Sequence, residues 1–433
     1  MPALALLVLY LATTSATPSV DAASASVQGW RIATSGTPWF EDVDRETLPF
    51  QYENPPLGIS EAPNGHEVTH GSPGVTSFTV PAYLGASPDP RDVSIRRASA
   101  LAAVLTWLSV LMMWRALLPW VGPHRAAMAC VVMAIGTPVW SVAADAFWPH
   151  TITVFGAAGM TWCASRGRWF GAGLFGGLGL LGRLHFSVAV AVVGLWTGLR
   201  SRALSVTSLI AAGSVPFLFV AAAWSRWLYG QWDPAGGYSQ VDAYADRAAQ
   251  RSATETLTNF SGLLVSPDRG ILVWSPVILV LLPALIRSWS SQPTWSRALL
   301  GGGVAYTLVQ GFMSYFAGGS AFYGYRLTLE LLVLGTPAFT IAAAWAGRRA
   351  RAALPALSGL QVGAIAVGAV YNSLGVPIEQ VWTTNSFVEI LIAVPVLALP
   401  WLLCGALGVL AARFLRELRW VPGSAAQQPQ QRG

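Results

Sequence analysis

The chain has 433 residues, of which 54% are hydrophobic and only 11% carry a charge. Soluble domains carry about 25% charged residues, so this composition excludes a disordered chain, a fibrous chain and an ordinary cytosolic domain. It predicts a polytopic membrane protein. The basic residues are all Arg and are scattered between apolar runs, so we assign the net charge of +6 to membrane orientation and not to nucleic-acid binding. Cys130, Cys163 and Cys404 lie inside apolar stretches and predict neither a disulfide framework nor a metal site.

Apolar stretches that could form membrane helices recur about twelve times along the chain. They lie near 2–16, 98–118, 126–143, 150–165, 169–182, 184–199, 203–224, 271–287, 298–316, 327–346, 352–372 and 387–411. The short, Gly-rich passes between 169 and 199 are the hardest to count. The pattern predicts an all-α polytopic bundle of about 11–12 transmembrane helices.

Two stretches are polar enough to lie outside the membrane. The segment 17–97 is rich in Pro, Gly, Ser and acids and is predicted to be a first extracytoplasmic loop with short amphipathic helices. The segment 225–270 is predicted to be a second such loop. Transmembrane helices then occupy 98–224 and 271–420, and the tail 421–433 is predicted to be a disordered cytoplasmic end.

The first segment, 1–16, has two interpretations. It is apolar enough to be a retained first transmembrane helix. It could instead be a cleaved secretion signal, because small residues suited to cleavage follow it in ATPSVDAASA. A signal peptide normally begins with basic residues, which this segment lacks, and a truncated start would explain that defect.

The distribution of arginines predicts the sidedness of the chain. With a cytoplasmic N-terminus, Glu417 is the one acid on the cytoplasmic side, and many arginines join it there. These are Arg115, Arg125, Arg166, Arg168, Arg200, Arg202, Arg287, Arg297, Arg348, Arg349, Arg351, Arg413, Arg416, Arg419 and Arg432. This is the positive-inside pattern. For an even number of spans it predicts that both termini lie in the cytoplasm, and we expect the membrane to be a bacterial inner membrane.

Ionisable residues at membrane depth or at the mouths of spans mark functional sites in membrane proteins. On the predicted topology they collect on the outer side, as Asp21, Glu41, Asp42, Asp44, His66, Glu67, His70, Asp145, His150, Arg183, His185, Asp268, Arg269, Arg326 and Glu330. Arg binds phosphate in bidentate fashion and keeps its charge, and a carboxylate can act as a general base. The pattern predicts a site for an anionic amphiphile, such as a lipid phosphate at the outer headgroup level.

Several of these residues also have a structural explanation. Arg183 could reach the outer headgroups or pair with Asp145, His150 could be an interfacial hydrogen-bonding residue, and Asp268 and Arg269 could close a turn. For the whole chain, a transporter or flippase of lipid-linked sugars and a non-catalytic scaffold remain open alternatives. A transporter favours repeated halves with polar groups at the midplane, whereas this sequence shows no repeat and gathers its polar residues at one mouth.

Five stretches resemble motifs of the GT-C superfamily of integral-membrane glycosyltransferases, in the group related to protein O-mannosyltransferases and glycosyltransferase family 39. They are GHEVTHGSPGVTSFTVPAY, IGTPVWSVAADAFWPH, YGQWDPAGGY, LLVSPDRGILVWSP and GGSAFYGYRL. The first stretch lacks the usual Asp-Lys and reads His70-Gly-Ser-Pro-Gly. Before the Gly-Gly of the last stretch, Phe316-Ala317 replaces an aromatic-acid pair. The usual Asn and Phe before the Gly-x-Pro loop are also missing. These departures point to different substrate binding and leave a diverged, non-catalytic member as an alternative.

The resemblance implies a GT-C-like bundle with the activity of a hexosyl- or pentosyltransferase. Such an enzyme takes a sugar from a polyprenyl-phosphate donor on the extracytoplasmic face and gives it to a cell-envelope glycan, lipid or protein. An acid in the first outer loop, just after span one, serves as the base. Asp21 holds that place here, and Asp42 and Asp44 are the fallback positions.

The resemblance also assigns donor and acceptor residues. Arg269 and Arg326 stand at the family's Arg positions and His150 at its His, so we expect these three to bind the lipid phosphate or the donor. Arg183 is a further candidate for the donor. Glu67, His70 and Tyr238 are expected on the acceptor side or in its loops. Mg²⁺ or Mn²⁺ could assist, although no ligand spacing in the sequence demands a metal.

Overall fold

The computed structural model describes residues 2–15, 19–48, 58–236, 251–319, 322–371 and 375–417. It shows an all-α polytopic membrane protein, which confirms the predicted fold class. The helices in chain order are α1 (Pro2–Ala12), α2 (Val20–Ser35), α3 (Pro73–Thr79), α4 (Ile95–Val121), α5 (Pro123–Ile135), α6 (Pro149–Ala164), α7 (Trp169–Gly182), α8 (Phe186–Ser201), α9 (Leu204–Tyr229), α10 (Ala253–Val265), α11 (Ile271–Trp274), α12 (Pro276–Ser288), α13 (Thr294–Met313), α14 (Leu329–Ala342), α15 (Arg348–Val370), α16 (Ser386–Ala393) and α17 (Ala398–Glu417). In the described part of the chain, two short antiparallel strands, β1 (Ser60–Glu61) and β2 (Glu67–Val68), form the sheet structure.

Four helical segments within the described ranges are long and apolar enough to cross a membrane. These are Ile95–Val121, Leu204–Tyr229, Arg348–Val370 and Pro395–Arg413. Shorter apolar helical segments accompany them, at Ala3–Ala12, Pro123–Ile135, Trp169–Gly182, Phe186–Ser201, Pro276–Ser291 and Leu329–Trp345. Each predicted span overlaps at least one of the observed helices, and the number of helices that cross the bilayer stays a prediction.

Prolines divide three of the predicted spans. The span 271–287 breaks at Ser275, which has φ −126° and ψ 62° before Pro276. The span 387–411 breaks at Val394, with φ −135° and ψ 74°, before a proline at the next position. In both places the proline ring disfavours the helical conformation of the preceding residue. The span 126–143 ends as an α-helix at Ile135 and continues after Pro138 as a buried π-helical turn, Val139–Ala144.

Glycines allow three membrane helices to pack at close range. A Cβ atom on Gly156 of α6 would lie 2.7 Å from the Cα atom of Gly179 on α7. A Cβ atom on Gly213 of α9 would lie 2.7 Å from the backbone nitrogen of Leu174 on α7. Small residues at such crossings are how membrane helices approach each other without a hydrophobic driving force. The compact α6–α7–α9 unit fixes the N-terminus of α6, which carries His150.

The described residues between α1 and α4 fold around α2, which is buried from Ala22 to Arg31. Its apolar side chains join a core that includes Trp30, Phe40 and Tyr83. Thr69, next to β2, donates from its backbone N–H to the Gln28 side chain over 3.1 Å. The segment is therefore a packed cap on the bundle, and α2 presents its first turn toward the membrane helices.

The ends of several helices lie together at one end of the bundle, next to Arg269 and Arg326. Arg269 lies just before α11 and α12, Arg326 lies just before α14, and Gly375 follows α15 and is so close to the Arg269 guanidinium that a Cβ atom there would overlap it. The opposite ends of α12 and α15 carry Arg287 and Arg348. Arg287 and Arg348 therefore lie at the opposite end of α12 and α15 from Arg269 and Arg326.

Candidate active site

Asp21 and Arg326 form an ion pair at the start of α2. The Nη1 group of Arg326 donates to Oδ2 of Asp21 over 3.2 Å. The Asp21 side chain is 57% exposed and that of Arg326 is 12% exposed. Asp21 lies in the first turn of its helix, where the unpaired backbone N–H groups favour a carboxylate. The structure therefore brings together the acid and one of the arginines that the sequence predicts for the site.

Apolar packing holds the first turn of α2 against the bundle. Ala22 contacts a small cluster formed with Val142, Ala146, Trp148 and Phe322. Those four residues come from the π-helical turn, the connection after it and the loop before α14. Asp21 reaches Arg326 because its neighbour is fixed in this cluster.

The Arg326 guanidinium lies between two aromatic rings. Its central carbon is 4.8 Å from the ring centroid of Trp148 and 4.8 Å from that of Phe322. Its Nη2 group donates to the carbonyl of Gly318, a residue with φ +62° that suits glycine. Cation–π contacts and this hydrogen bond hold the positive charge in one orientation.

Arg269 holds the loop that carries Arg326. It is 2% exposed and donates to the carbonyls of Gly324 over 3.1 Å and Gly319 over 3.2 Å. Its guanidinium also lies 4.1 Å from the Phe322 ring centroid and pairs with Asp268 over 2.8 Å. These contacts hold the loop before α14 in place. The binding of lipid phosphate by Arg269 stays a prediction.

A buried ionic cluster, formed by His150, Arg183 and Glu330 with the polar side chains Thr153 and Gln310, lies within the bundle. His150 and Glu330 are fully buried, and His150 Nδ1 is 2.7 Å from Glu330 Oε1. Thr153 donates to the same oxygen over 2.5 Å. Arg183 donates to His150 Nε2 over 3.0 Å and to Gln310 Oε1 over 2.8 Å. Two residues from the predicted donor site, His150 and Arg183, therefore lie in direct contact.

The contacts of His150 determine which of its nitrogens carries the proton. A guanidinium can only donate, so the hydrogen bond from Arg183 requires Nε2 to accept. The proton of the neutral ring then lies on Nδ1, where it is donated to Glu330. The imidazole thus links a cation to an anion through one defined tautomer.

Two members of the buried ionic cluster, His150 and Glu330, are close in sequence to Trp148 and Arg326. His150 follows Trp148 by two positions at the start of α6, and Glu330 follows Arg326 by four positions in the first turn of α14. The backbone N–H of Leu329 donates to the Arg326 carbonyl over 3.2 Å. Movement of Arg326 would therefore be transmitted to the helix turn that holds Glu330.

The two fallback acids have partners between α2 and α3 or on α2 itself. Asp42 accepts a hydrogen bond from Arg31, which holds the pKa of that carboxyl below its usual range. Asp44 caps a short helical turn by accepting from the Glu46 N–H over 3.1 Å. Because Arg31 lies ten positions beyond Asp21 on α2, it is about 15 Å away along the helix axis. The described contacts of Asp42 and Asp44 therefore stabilise the segment at a distance from the Asp21–Arg326 pair.

The predicted acceptor-side residues belong to the β1–β2 hairpin and its surroundings. Glu67 forms an ion pair with Arg45. His70 hydrogen-bonds to Ser60 and stacks on Tyr229, with ring centroids 6.1 Å apart. Tyr238 lies outside the described residues. These contacts attach the hairpin to the end of α9, and an acceptor role for them stays a prediction.

Asp145 lies in the connection between the π-helical turn and α6, and its backbone carbonyl accepts the N–H of Ser15 over 2.9 Å. The alternative in which it pairs with Arg183 is not what the structure shows, because that arginine contacts His150 and Gln310. Asp145 is 8% exposed. Burial raises the pKa of its carboxyl to about 7, compared with about 3.9 for a solvated aspartate.

The raised pKa predicts that the stabilising contribution of the Asp145 carboxyl is lost as the pH rises from about 4 to about 7. In that window the folded protein binds the Asp145 proton more tightly than the unfolded chain does. Asp145→Asn should flatten this part of the profile, measured as the thermal unfolding temperature in detergent between pH 4.5 and pH 8. Asp92→Asn, at an exposed position, is the control and should keep the wild-type slope. An unchanged slope in the Asp145→Asn variant would show that another group controls the profile.

Several side chains that contribute to the site were not predicted from the sequence. Trp148 and Phe322 carry the aromatic faces at Arg326, and Gln310 is a buried acceptor for Arg183. Two signals pointed to them, namely aromatic residues inside the motifs that carry His150 and Arg326, and a glutamine within an apolar span. Both signals are weak, because aromatic residues in membrane proteins commonly serve as interface anchors.

No group of three or more His, Cys, Asp or Glu side chains in the described ranges could hold a metal ion. These side chains alone do not supply a donor set for Mg²⁺ or Mn²⁺. A divalent cation therefore stays a prediction, and the chemistry of the site is derived from its own side chains.

The chain has a structural likeness to a known protein but no match in sequence. No protein-family model matches the chain, and no curated protein matches its sequence. The structure is similar to the apo crystal structure of the Archaeoglobus fulgidus oligosaccharyltransferase, with a TM-score of 0.47 and 10% sequence identity. The match covers 94% of this chain and 56% of that protein, so the chain spans little more than half its length. Similarity at this level carries no conclusion about activity.

Proposed function

We propose that the protein is a glycosyltransferase that moves a sugar from a polyprenyl-phosphate donor to an acceptor hydroxyl at the extracytoplasmic surface of the membrane. The contact between Asp21 and Arg326 is the observation that carries the proposal. It places an exposed carboxylate beside a fixed guanidinium in a membrane protein. These are the two groups that such a transfer needs, a base for the acceptor and a cation for the leaving phosphate.

The reaction begins when the donor phosphate replaces Asp21 as the partner of Arg326. The released carboxylate accepts the proton of the acceptor hydroxyl, whose oxygen attacks the anomeric carbon. The bond between that carbon and the phosphate oxygen breaks, and the electron pair leaves with the polyprenyl phosphate. Arg326 stabilises the charge that develops on the leaving group. Attack from the face opposite the phosphate inverts the configuration at the anomeric carbon.

Arg269 and the buried ionic cluster position the groups that surround Arg326. Arg269 fixes the carbonyls of Gly319 and Gly324, which border Phe322. The cluster fixes the first turns of α6 and α14, next to Trp148 and Arg326. A guanidinium held in this way keeps its position while its anionic partner changes from Asp21 to phosphate.

Arg326→Ala is expected to weaken the binding of polyprenyl phosphate by about 10- to 100-fold, because a hydrogen bond to a charged group contributes about 1.5–3 kcal/mol. Arg326→Lys should recover part of the affinity, since it keeps the charge and loses the planar, bidentate geometry. The measurement is a titration of purified protein in detergent. Arg96→Ala, at an exposed position in the first turn of α4, is the matched control. Equal affinity in wild type and Arg326→Ala would remove Arg326 from the donor site.

A transfer assay tests the function directly. Purified protein is incubated with a panel of polyprenyl-phosphate sugars and cell-envelope acceptors, and the product is analysed by mass spectrometry. We expect transfer from at least one donor, with inverted anomeric configuration. Movement of intact lipid-linked sugar across a vesicle bilayer, with no transfer product, would contradict the proposal and identify a flippase.

A further inference from the structure

A cavity of about 360 Å³ lies at the far ends of α12 and α15. Three arginines line it, Arg287 from α12 and Arg348 and Arg349 from the first turn of α15. The rest of the lining is apolar or backbone and includes Pro283 and Ala346. The cavity is therefore a basic pocket with an apolar wall.

The three guanidiniums have no acidic partner in the part of the chain that the structure describes. The ion pairs found there involve other residues, and the lining of the cavity contains no carboxylate. The side chains of Arg287, Arg348 and Arg349 are all exposed. Like charges gathered in one wall repel each other, so an anion between them would stabilise the arrangement.

The start of α15 adds a second attraction for an anion. Gly347 precedes the helix and has no side chain to cap its first backbone N–H groups. The first residues of this 23-residue helix line the pocket. Such a helix end and arginines together form a binding site for phosphate.

The pocket lies at the ends of α12 and α15 opposite to those near Arg269 and Arg326. A helix of 23 residues, such as α15, is about 34 Å long, which is close to the roughly 30 Å thickness of the hydrocarbon core. Beside the pocket, α12 exposes Leu282 and Ile286, and Trp345 is exposed just before α15. An anion bound here would meet an apolar surface that continues into the membrane.

We propose that this pocket binds the phosphate of an anionic phospholipid from the adjacent leaflet, whose acyl chains lie along the exposed side of α12. Basic pockets between membrane helices recognise phospholipid headgroups in this way. The three arginines bind the phosphate, while Ile286 and Leu282 contact the chains. This site is independent of the proposed sugar transfer.

The test is native mass spectrometry of the purified full chain with phosphatidylglycerol or phosphatidylcholine. We expect one tightly retained phosphatidylglycerol. The double variant Arg348→Gln/Arg349→Gln should lower its occupancy at least tenfold. The double variant Arg200→Gln/Arg202→Gln removes two arginines from the α8–α9 connection and is the matched control, with unchanged occupancy expected.

Three outcomes would overturn the proposal. Equal losses in the two double variants would show a general effect of charge, and equal retention of phosphatidylcholine would show that the anionic headgroup is not recognised. Displacement of the lipid by glycerol 3-phosphate at a matched concentration would identify a site for a soluble phosphate. As a separate measure of the acyl-chain contact, Ile286→Gln should lower lipid retention and leave the protein folded, as judged by its unfolding temperature.

Discussion

Replacing Asp21 with Asn is expected to lower sugar transfer by about 10²- to 10⁴-fold, the usual cost of losing a positioned base. The amide oxygen of Asn can still accept the hydrogen bond from Arg326, so the start of α2 should keep its position. Donor binding should survive, because the phosphate-binding guanidinium is unchanged. The measurement is the initial rate of transfer at saturating donor, together with donor affinity.

Three further variants localise the base. Asp92→Asn changes an exposed acid between α3 and α4 and should keep wild-type activity. Asp42→Asn and Asp44→Asn remove the fallback acids, whose contacts are with Arg31 and the Glu46 N–H. Loss of transfer in either fallback variant, with full activity in Asp21→Asn, would assign the base to that position instead.

Among the variants described here, Glu330→Gln is expected to lower the stability of the fold most. It removes the anion of the buried ionic cluster, so that His150 links the half-buried Arg183 to a neutral amide and the cation loses its balancing charge. Breaking a buried charge pair in this way costs about 3–5 kcal/mol. The measurement is the unfolding temperature in detergent. Glu379→Gln, the same change at an exposed position, should leave that temperature unchanged.

A double variant tests whether charge balance is the cause. Glu330→Gln combined with Arg183→Gln removes one charge of each sign, so its cost should be smaller than the sum of the two single costs. Additive losses would mean that the two groups act separately and that His150 does not connect them.

The sequence was sufficient to predict the helices because membrane helices need long apolar runs, and these stand out between the Arg-bearing connections. The breaks at Ser275 and Val394 also follow from proline chemistry, although the apolar runs continue through them. Packing was harder to predict. The spacing of residues along the chain does not reveal that Asp21 would meet a residue 305 positions away.

The contacts of the site explain why some predicted roles were incomplete. The resemblance to a family placed Arg269 and Arg326 together as phosphate ligands, because both are arginines in matching motifs. The structure distinguishes them by surroundings, since Arg269 is enclosed by the carbonyls of Gly319 and Gly324 while Arg326 faces a half-exposed acid. Such a difference depends on the path of a glycine-rich loop and cannot be derived from residue type.

The aromatic rings around Arg326 have an effect on binding strength that their contact energy does not describe. A free Arg side chain has many rotamers, and fixing it costs up to about 2 kcal/mol. Trp148, Phe322 and the Gly318 carbonyl fix the guanidinium while the protein folds. A ligand that binds Arg326 therefore avoids this entropic loss, which corresponds to as much as about 30-fold in affinity. Substitution of Trp148 should therefore lower the affinity for phosphate, although the contact of its ring is with the Arg326 guanidinium.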